Sequence, residues 1–337
     1  FYPERKHGVR LYCKRVFIMD NCEALLPEHL GFVKGVVDAP DLNLNVSREI
    51  LQQDRLVRNI NRNLVKKLLE LLADMDEETY RKFYNEFGQM LKIGIYTDQG
   101  NQKKIAELLR FKTTQSPDEP VSLKTYVERM QPEQKKIFYI TGENLSALVN
   151  SPHLERLKEK NYEVLLMTEP VDEWVVQALT EYDGKPLKSA EKGDLDTDAV
   201  DEAKEEAYKA LFGFIKGQLS KHVKEVKPST RLKQSVACLS GDAQDLSAYM
   251  EKILKASGQE LPDTRRVLEL NMDHPVVTRM NELFEQDRKD PKLKAYSEML
   301  LDLALVGEGG KLPNPARFAK QVGELLVEAE LKAPADA

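Results

Sequence analysis

Apolar residues change their spacing several times along this chain, and each change marks an element. In GVRLYCKRVFIM, residues 8–19, Val9 and Leu11 alternate with Arg10 and Tyr12 before the run turns continuously apolar. That pattern predicts a strand buried first on one face and then on both. A short companion at 35–37 leaves the sheet short of partners, and the missing strands are expected to precede Phe1. From Ser47 the period becomes helical: Ser47, Arg48 and Glu49 read as a cap and first turn, and Val57, Ile60, Leu64, Leu68 and Leu71 mark one face of a long helix. Helices at about 77–92 and 101–110 follow after short links, which predicts a small antiparallel bundle.

SPDEP at 116–120 is a turn or linker. Beyond it a helix (121–130), the strand IFYIT, a helix (143–149), the strand YEVLLMT and a helix (171–180) alternate, as in a small α/β unit. DGKPLKSAEKGDLDTD then carries Gly, Pro and acidic residues with no period, which places a domain boundary near 197. A helix at 198–219, strands within 223–239, a helix at 243–257, the strand RRVLELNM and three closing helices from Pro275 to about Val327 complete the chain. The expected class is helix-rich α+β. Residues 1–196 form one domain, with a sheet remnant (1–46), a helical bundle (47–115) and the α/β unit (116–196); residues 197–337 form an α+β domain ending in helices.

Composition narrows the function. The 337 residues carry a net charge of −6, so no overall positive field exists to gather phosphates and a nucleic-acid partner is not expected. The most apolar run, Met299 to Val306, is broken by Asp302 and is far short of a membrane span, so no membrane partner is expected either. Three cysteines, Cys13, Cys22 and Cys238, are too few for a disulfide scaffold and suggest a reducing compartment, with the cytoplasm as the default. The start FYPERKHG has neither Met nor a signal-peptide core, which reads as a piece cut from a longer protein.

Two motifs fail on their own chemistry. Asp194, Asp196, Asp198 and Glu205 fall at positions 1, 3, 5 and 12 of a calcium loop, but Ala199 replaces the Gly that the sharp turn requires and Asp201 the apolar residue at position 8. An acidic linker leading into a helix N-terminus accounts for them. GEGGK at 307–311 lacks the first Gly and the Ser or Thr of a phosphate loop, and reads as a helix C-cap followed by Pro313. The five His show no ligand spacing, and no metal site is expected.

DLNLNVSREILQQ, residues 41–53, places Arg48 and Gln52 four apart at the head of a helix, pointing the same way. Spacing alone also fits solvent-facing or capping groups. This segment resembles the DLPLNVSRE.LQ signature of the ninety-kilodalton heat-shock chaperone family. LYCKRVFIMDN, NQKKIAELLRF, FYITGENL, PVDEWVVQALTEYDGKPLKS and VLELNMDHPVV follow the family order, so the resemblance spans essentially the whole chain and is nearest to the bacterial branch. Asn43 stands where the family usually has Pro, which frees the loop before the helix.

The resemblance implies a stress-response chaperone with an ATPase: a nucleotide-binding domain, a middle domain and a C-terminal dimerisation domain, of which only the last two are represented here. It implies ATP and Mg as cofactors of the whole protein, none bound to this piece, and no turnover by this piece alone. Arg48 would reach the γ-phosphate and Gln52 would support it, a role suited to a planar, permanently charged fork. The resemblance also implies unfolded or partly folded client proteins as partners. Glu173 and Trp174 would face them, although Trp174 equally fits a core aromatic. Leu246, Met250, Ile253 and Leu254 form one stripe of a helix that reads as core by default, and that the family leaves exposed to clients. Leu293, Tyr296, Leu300 and Leu303 line one closing helix, and Phe318, Val322, Leu325 and Leu326 the next. Periodicity allows packing within one chain or a four-helix bundle between two, and the resemblance favours the homodimer. The end, APADA, lacks the acidic tail that docks tetratricopeptide co-chaperones. A dimeric interaction scaffold with no catalytic contribution is the alternative.

Overall fold

A computed structural model describes residues 8–20, 22–42, 55–195, 201–262 and 264–330. The first apolar run is a hairpin, not one strand. β1 (Gly8–Cys13) and β2 (Val16–Met19) pair antiparallel, because Lys14 and Arg15 take left-handed φ values of 49° and 64° and turn the chain in two residues. β3 (Lys34–Asp38) pairs parallel with β1, giving the order β2-β1-β3, so a third strand comes from within the described chain. Val9, Leu11 and Cys13 of β1 point into the core.

α1 (Arg55–Ala73) buries Val57, Val65, Leu69 and Leu72, while Leu71 is exposed. The inward stripe is therefore turned by one position from the one read off the sequence. Asp76 caps α2 (Glu77–Thr97) by accepting from the Thr79 amide, and α3 (Gln102–Leu108) packs back against α2. β4 (Arg110–Thr113) and β5 (Val121–Ser122) pair antiparallel, and the Ser122 hydroxyl caps α4 (Leu123–Arg129).

β6 (Ile137–Thr141) and β7 (Val164–Met167) are buried at every position, as their unbroken apolar runs require, and between them lie α5 (Leu145–Val149) and α6 (Glu155–Glu159). After α7 (Asp172–Ala178), β8 (Glu181–Tyr182) and β9 (Lys185–Ser189) form a hairpin. Asp183 and Gly184, at φ 50° and 69°, make its two-residue turn. The stretch read as an aperiodic linker thus begins with ordered strand.

α8 (Glu202–Gln218) leads to β10 (Val223–Pro228) and β11 (Ala237–Ser240), then α9 (Ala248–Ala256) and β12 (Arg266–Leu270). β12 is central, parallel to β10 and antiparallel to β11. α10 (Pro275–Gln286), α11 (Pro291–Gly307) and α12 (Pro315–Glu330) close the chain. Each of α10 and α11 starts with Pro at its first position, where the missing N–H costs nothing.

By packing, the chain falls into two compact units, Phe1–Ile137 with Met167–Leu187, and Phe138–Leu166 with Lys188–Ala337. The boundary read at 196/197 lies inside the second unit. The reason is visible in its side chains: the Glu155 carboxylate accepts from the amides of Lys233, Gln234 and Ser235, which ties the earlier segment to the later one. Burial raises the Glu155 pKa, but the Ser235 hydroxyl and those amides outweigh it and hold the group below its ordinary value. Cys13 and Cys22 in the first unit and Cys238 in the second are buried, and none of the three is in a disulfide among the described residues. No helix among the described residues is long and apolar enough to cross a membrane.

Candidate functional site

Arg48 and Gln52 lie outside the described residues, so their aim is not part of the geometry below. The client candidates are. α7 has only seven residues, too few to persist without tertiary support. It seals Glu173 at 2% exposure and leaves Trp174 half-buried.

What holds α7 is a charge cluster that the sequence reading missed. Lys92 of α2 is buried, and its ammonium donates to Asp172 Oδ1 at 2.6 Å and Glu169 Oε2 at 2.7 Å. Asp172 Oδ2 accepts from the Glu169 amide at 3.0 Å, and Gln89 reaches the other Glu169 oxygen at 3.1 Å. The Phe111 ring lies 4.9 Å from the ammonium. Burial favours loss of the Lys92 proton, but Asp172, Tyr84 and Glu169 outweigh it and raise the pKa, so the lysine stays charged. At the far end of α7, Gln102 Nε2 donates to the carbonyls of Ile95 (2.9 Å) and Ala178 (3.1 Å). A lone lysine within the buried run Met90–Ile95 was the available signal, since such a charge demands a partner.

The stripe on α9 divides. Ser247 caps the helix through the Met250 amide, Met250 and Ile253 face inward, Leu254 is half-buried and Leu246 stands in solvent. A cavity of about 480 Å³ adjoins this helix, lined by Tyr249 and Lys252 together with Leu148, His153, Arg266 and Glu308. Lys252 pairs with Glu143 at its edge.

The closing helices divide similarly. Leu293 and Leu300 are fully packed inside their own unit, and Tyr296, Phe318 and Val322 are half-buried. Leu303 and Val306 of α11 and Leu325, Leu326 and Val327 of α12 remain exposed, Leu326 at 64%. GEGGK is the helix end expected of it: Gly309, at φ 70°, donates to Val306 O and Gly310 to Leu305 O, so α11 ends in paired left-handed capping bonds.

A second missed cluster lies in the same unit. Arg231, fully buried, donates through Nε and Nη2 to the Glu269 carboxylate at 2.9 and 3.0 Å, and through its remaining N–H groups to the carbonyls of Ala190 and Gly193. Ser229 and Ser240 also donate to Glu269. Burial raises the Glu269 pKa, and Arg231 with the Ser240 hydroxyl more than reverses that. Asp194, a discarded calcium candidate, pairs with Lys227 at 2.9 Å. Among the described residues no three acidic, His or Cys side chains are grouped to hold a metal.

Comparison with known proteins gives concordant matches. The family model described as "Hsp90 protein" matches residues 1–336. The chain is 48% identical to the chaperone protein HtpG of Geobacter metallireducens over 340 aligned residues, covering 97% of this chain and 52% of that protein. The HtpG proteins of Geobacter sulfurreducens and Rhodococcus jostii are 48% and 46% identical, with 97% of this chain covered in each case and 52% and 53% of theirs. The chain spans about half the length of the curated relatives it matches.

Proposed function

The chain belongs to the Hsp90 family, and from that premise we propose that it is the client-binding and dimerising portion of an ATP-driven chaperone. One observation carries the reading: the apolar row of Leu303, Val306, Leu325, Leu326 and Val327 stands in solvent on two helices, of which α11 already buries Leu293, Leu300, Leu301 and Ala304 in its own unit, while α12 buries none of residues 315–327. A second copy of the same row covers it through a two-fold contact and makes a four-helix bundle. Trp174 on α7 and Leu246 beside α9 then face unfolded or partly folded clients. The setting is the cytoplasm.

In this reading ATP with Mg is held by a domain of the whole protein that this chain does not represent. Arg48 supplies a fixed positive fork to the γ-phosphate and Gln52 steadies it. An arginine so placed contributes up to about 10³–10⁵ in rate in other phosphoryl-transfer enzymes. Light scattering tests the carrying observation: the chain is expected at twice its monomer mass, and Leu326→Glu at the monomer mass. A monomeric parent chain at micromolar concentration overturns the dimer. Arg48→Ala in the full-length protein separates the reading from a scaffold without catalysis. ATP hydrolysis is expected to fall by at least about tenfold, and an unchanged rate favours the scaffold.

A further inference from the structure

We infer that Lys92 and Gln102 are positioning residues, which clamp the two ends of α7 and so set the surface that Trp174 presents to a client. The inference rests on the client reading above and deepens it. A seven-residue helix has too few internal hydrogen bonds to hold its own place, so contacts at its ends decide where it sits. At the N-terminal end one ammonium bridges Asp172, the first residue of the helix, and Glu169, the residue three before it. The second Asp172 oxygen closes that turn onto the Glu169 amide. At the C-terminal end Gln102 joins the Ala178 carbonyl to the Ile95 carbonyl of α2.

Both anchors therefore lead to α2, the 21-residue helix against which α7 packs. Between the anchors, Val175 is buried and Trp174 is half-exposed. The aromatic face thus has one orientation, fixed by polar bonds at its ends and an apolar contact at its middle. Lys92 itself is buried and touches no client; it acts through Asp172 and Glu169.

Trp174 is the single tryptophan of the chain, so its emission reports on α7 alone. The experiment compares the parent chain with Lys92→Met, Lys92→Arg, Gln102→Ala and Trp174→Ala. Three quantities are read: circular dichroism, acrylamide quenching of Trp174, and affinity for reduced, carboxymethylated α-lactalbumin as a permanently unfolded probe. Lys92→Met is expected to keep the helical signal, shift Trp174 emission to the red and increase quenching. If α7 is then seated only a tenth of the time, the apparent Kd for the probe rises about tenfold. Lys92→Arg, which restores a cation able to reach both carboxylates, is expected to recover most of both effects.

Gln102→Ala leaves the buried charges paired and is expected to move emission and affinity the same way by a smaller amount; it carries the test if Lys92→Met does not fold. Unchanged quenching in folded Lys92→Met, or in Gln102→Ala where the former does not fold, overturns the clamp. Changed quenching with unchanged probe affinity overturns its role in binding. Unchanged affinity in Trp174→Ala overturns the client reading itself, whichever way the optical result falls.

Discussion

His29 sits sealed at 0% exposure against α2, where Gly94 makes room for it: a Cβ there would lie 2.9 Å from the imidazole. Neither ring nitrogen has a hydrogen-bond partner among the described residues, and Asp98 approaches only to 3.8 Å. Burial lowers the His29 pKa from 6.5, and Asp98 offsets only part of that. The unfolded chain therefore takes up a proton on this residue as pH falls through about 6.5, while the folded chain does not until lower pH. Stability of the first unit is expected to drop across that window, and urea midpoints of the parent between about pH 7.5 and 5.5 should move more than those of His29→Gln. An equal pH slope in both would place the acid sensitivity elsewhere. Little of this was legible in the sequence. His29, Lys92 and Glu269 each stand out as a polar residue in apolar surroundings, but the groups that face them lie dozens of residues away and no periodicity points to them.

Elements were far more legible than their partners, because spacing along the chain is a local property. IFYIT is strand β6 to the residue, and the three closing helices fall where their apolar rows place them. The failures are turns and rotation. Lys14 and Arg15 adopt left-handed backbone without the Gly or Asn that would announce it, so a hairpin read as one strand. Asp183-Gly184 does announce a hairpin, and the charged residues after it obscured the signal. On α1 an apolar residue, Leu71, stands outside, because neighbouring leucines offer two equally apolar stripes and tertiary packing chooses. In the second unit, β12 is tied to its surroundings through one buried side chain. Arg231 holds its Glu269 and the 190–193 segment together, so Arg231→Met should leave a buried carboxylate with two hydroxyl donors and only the more distant Lys227, at 3.8 Å, as counter-charge, and cost about 3–5 kcal/mol. Arg231→Lys should recover little, since an ammonium cannot satisfy the forked set of acceptors. Chemical unfolding followed by far-ultraviolet dichroism measures both; a loss below about 1 kcal/mol for Met would mean the pair contributes no more than a surface one.

At the scale of the whole molecule, motif order identified the family across the full chain, while the grouping of segments into units was not readable. Unit membership depends on contacts such as Glu155 with the 233–235 amides, which join stretches separated by nearly 80 residues. The candidate site shows the same limit. Trp174 and the exposed leucines were found as residue types in a pattern, but how much of each stripe the fold had already consumed was decided by packing, as buried Met250 and exposed Leu246 illustrate. The placement of the cysteines has one more consequence. Each unit conceals its own sulfhydryls, Cys13 and Cys22 in one and Cys238 in the other. Alkylation by a bulky reagent must wait for the surrounding core to open, so the native chain carries two built-in clocks, and the order in which its sulfurs become reactive tells which half lets go first.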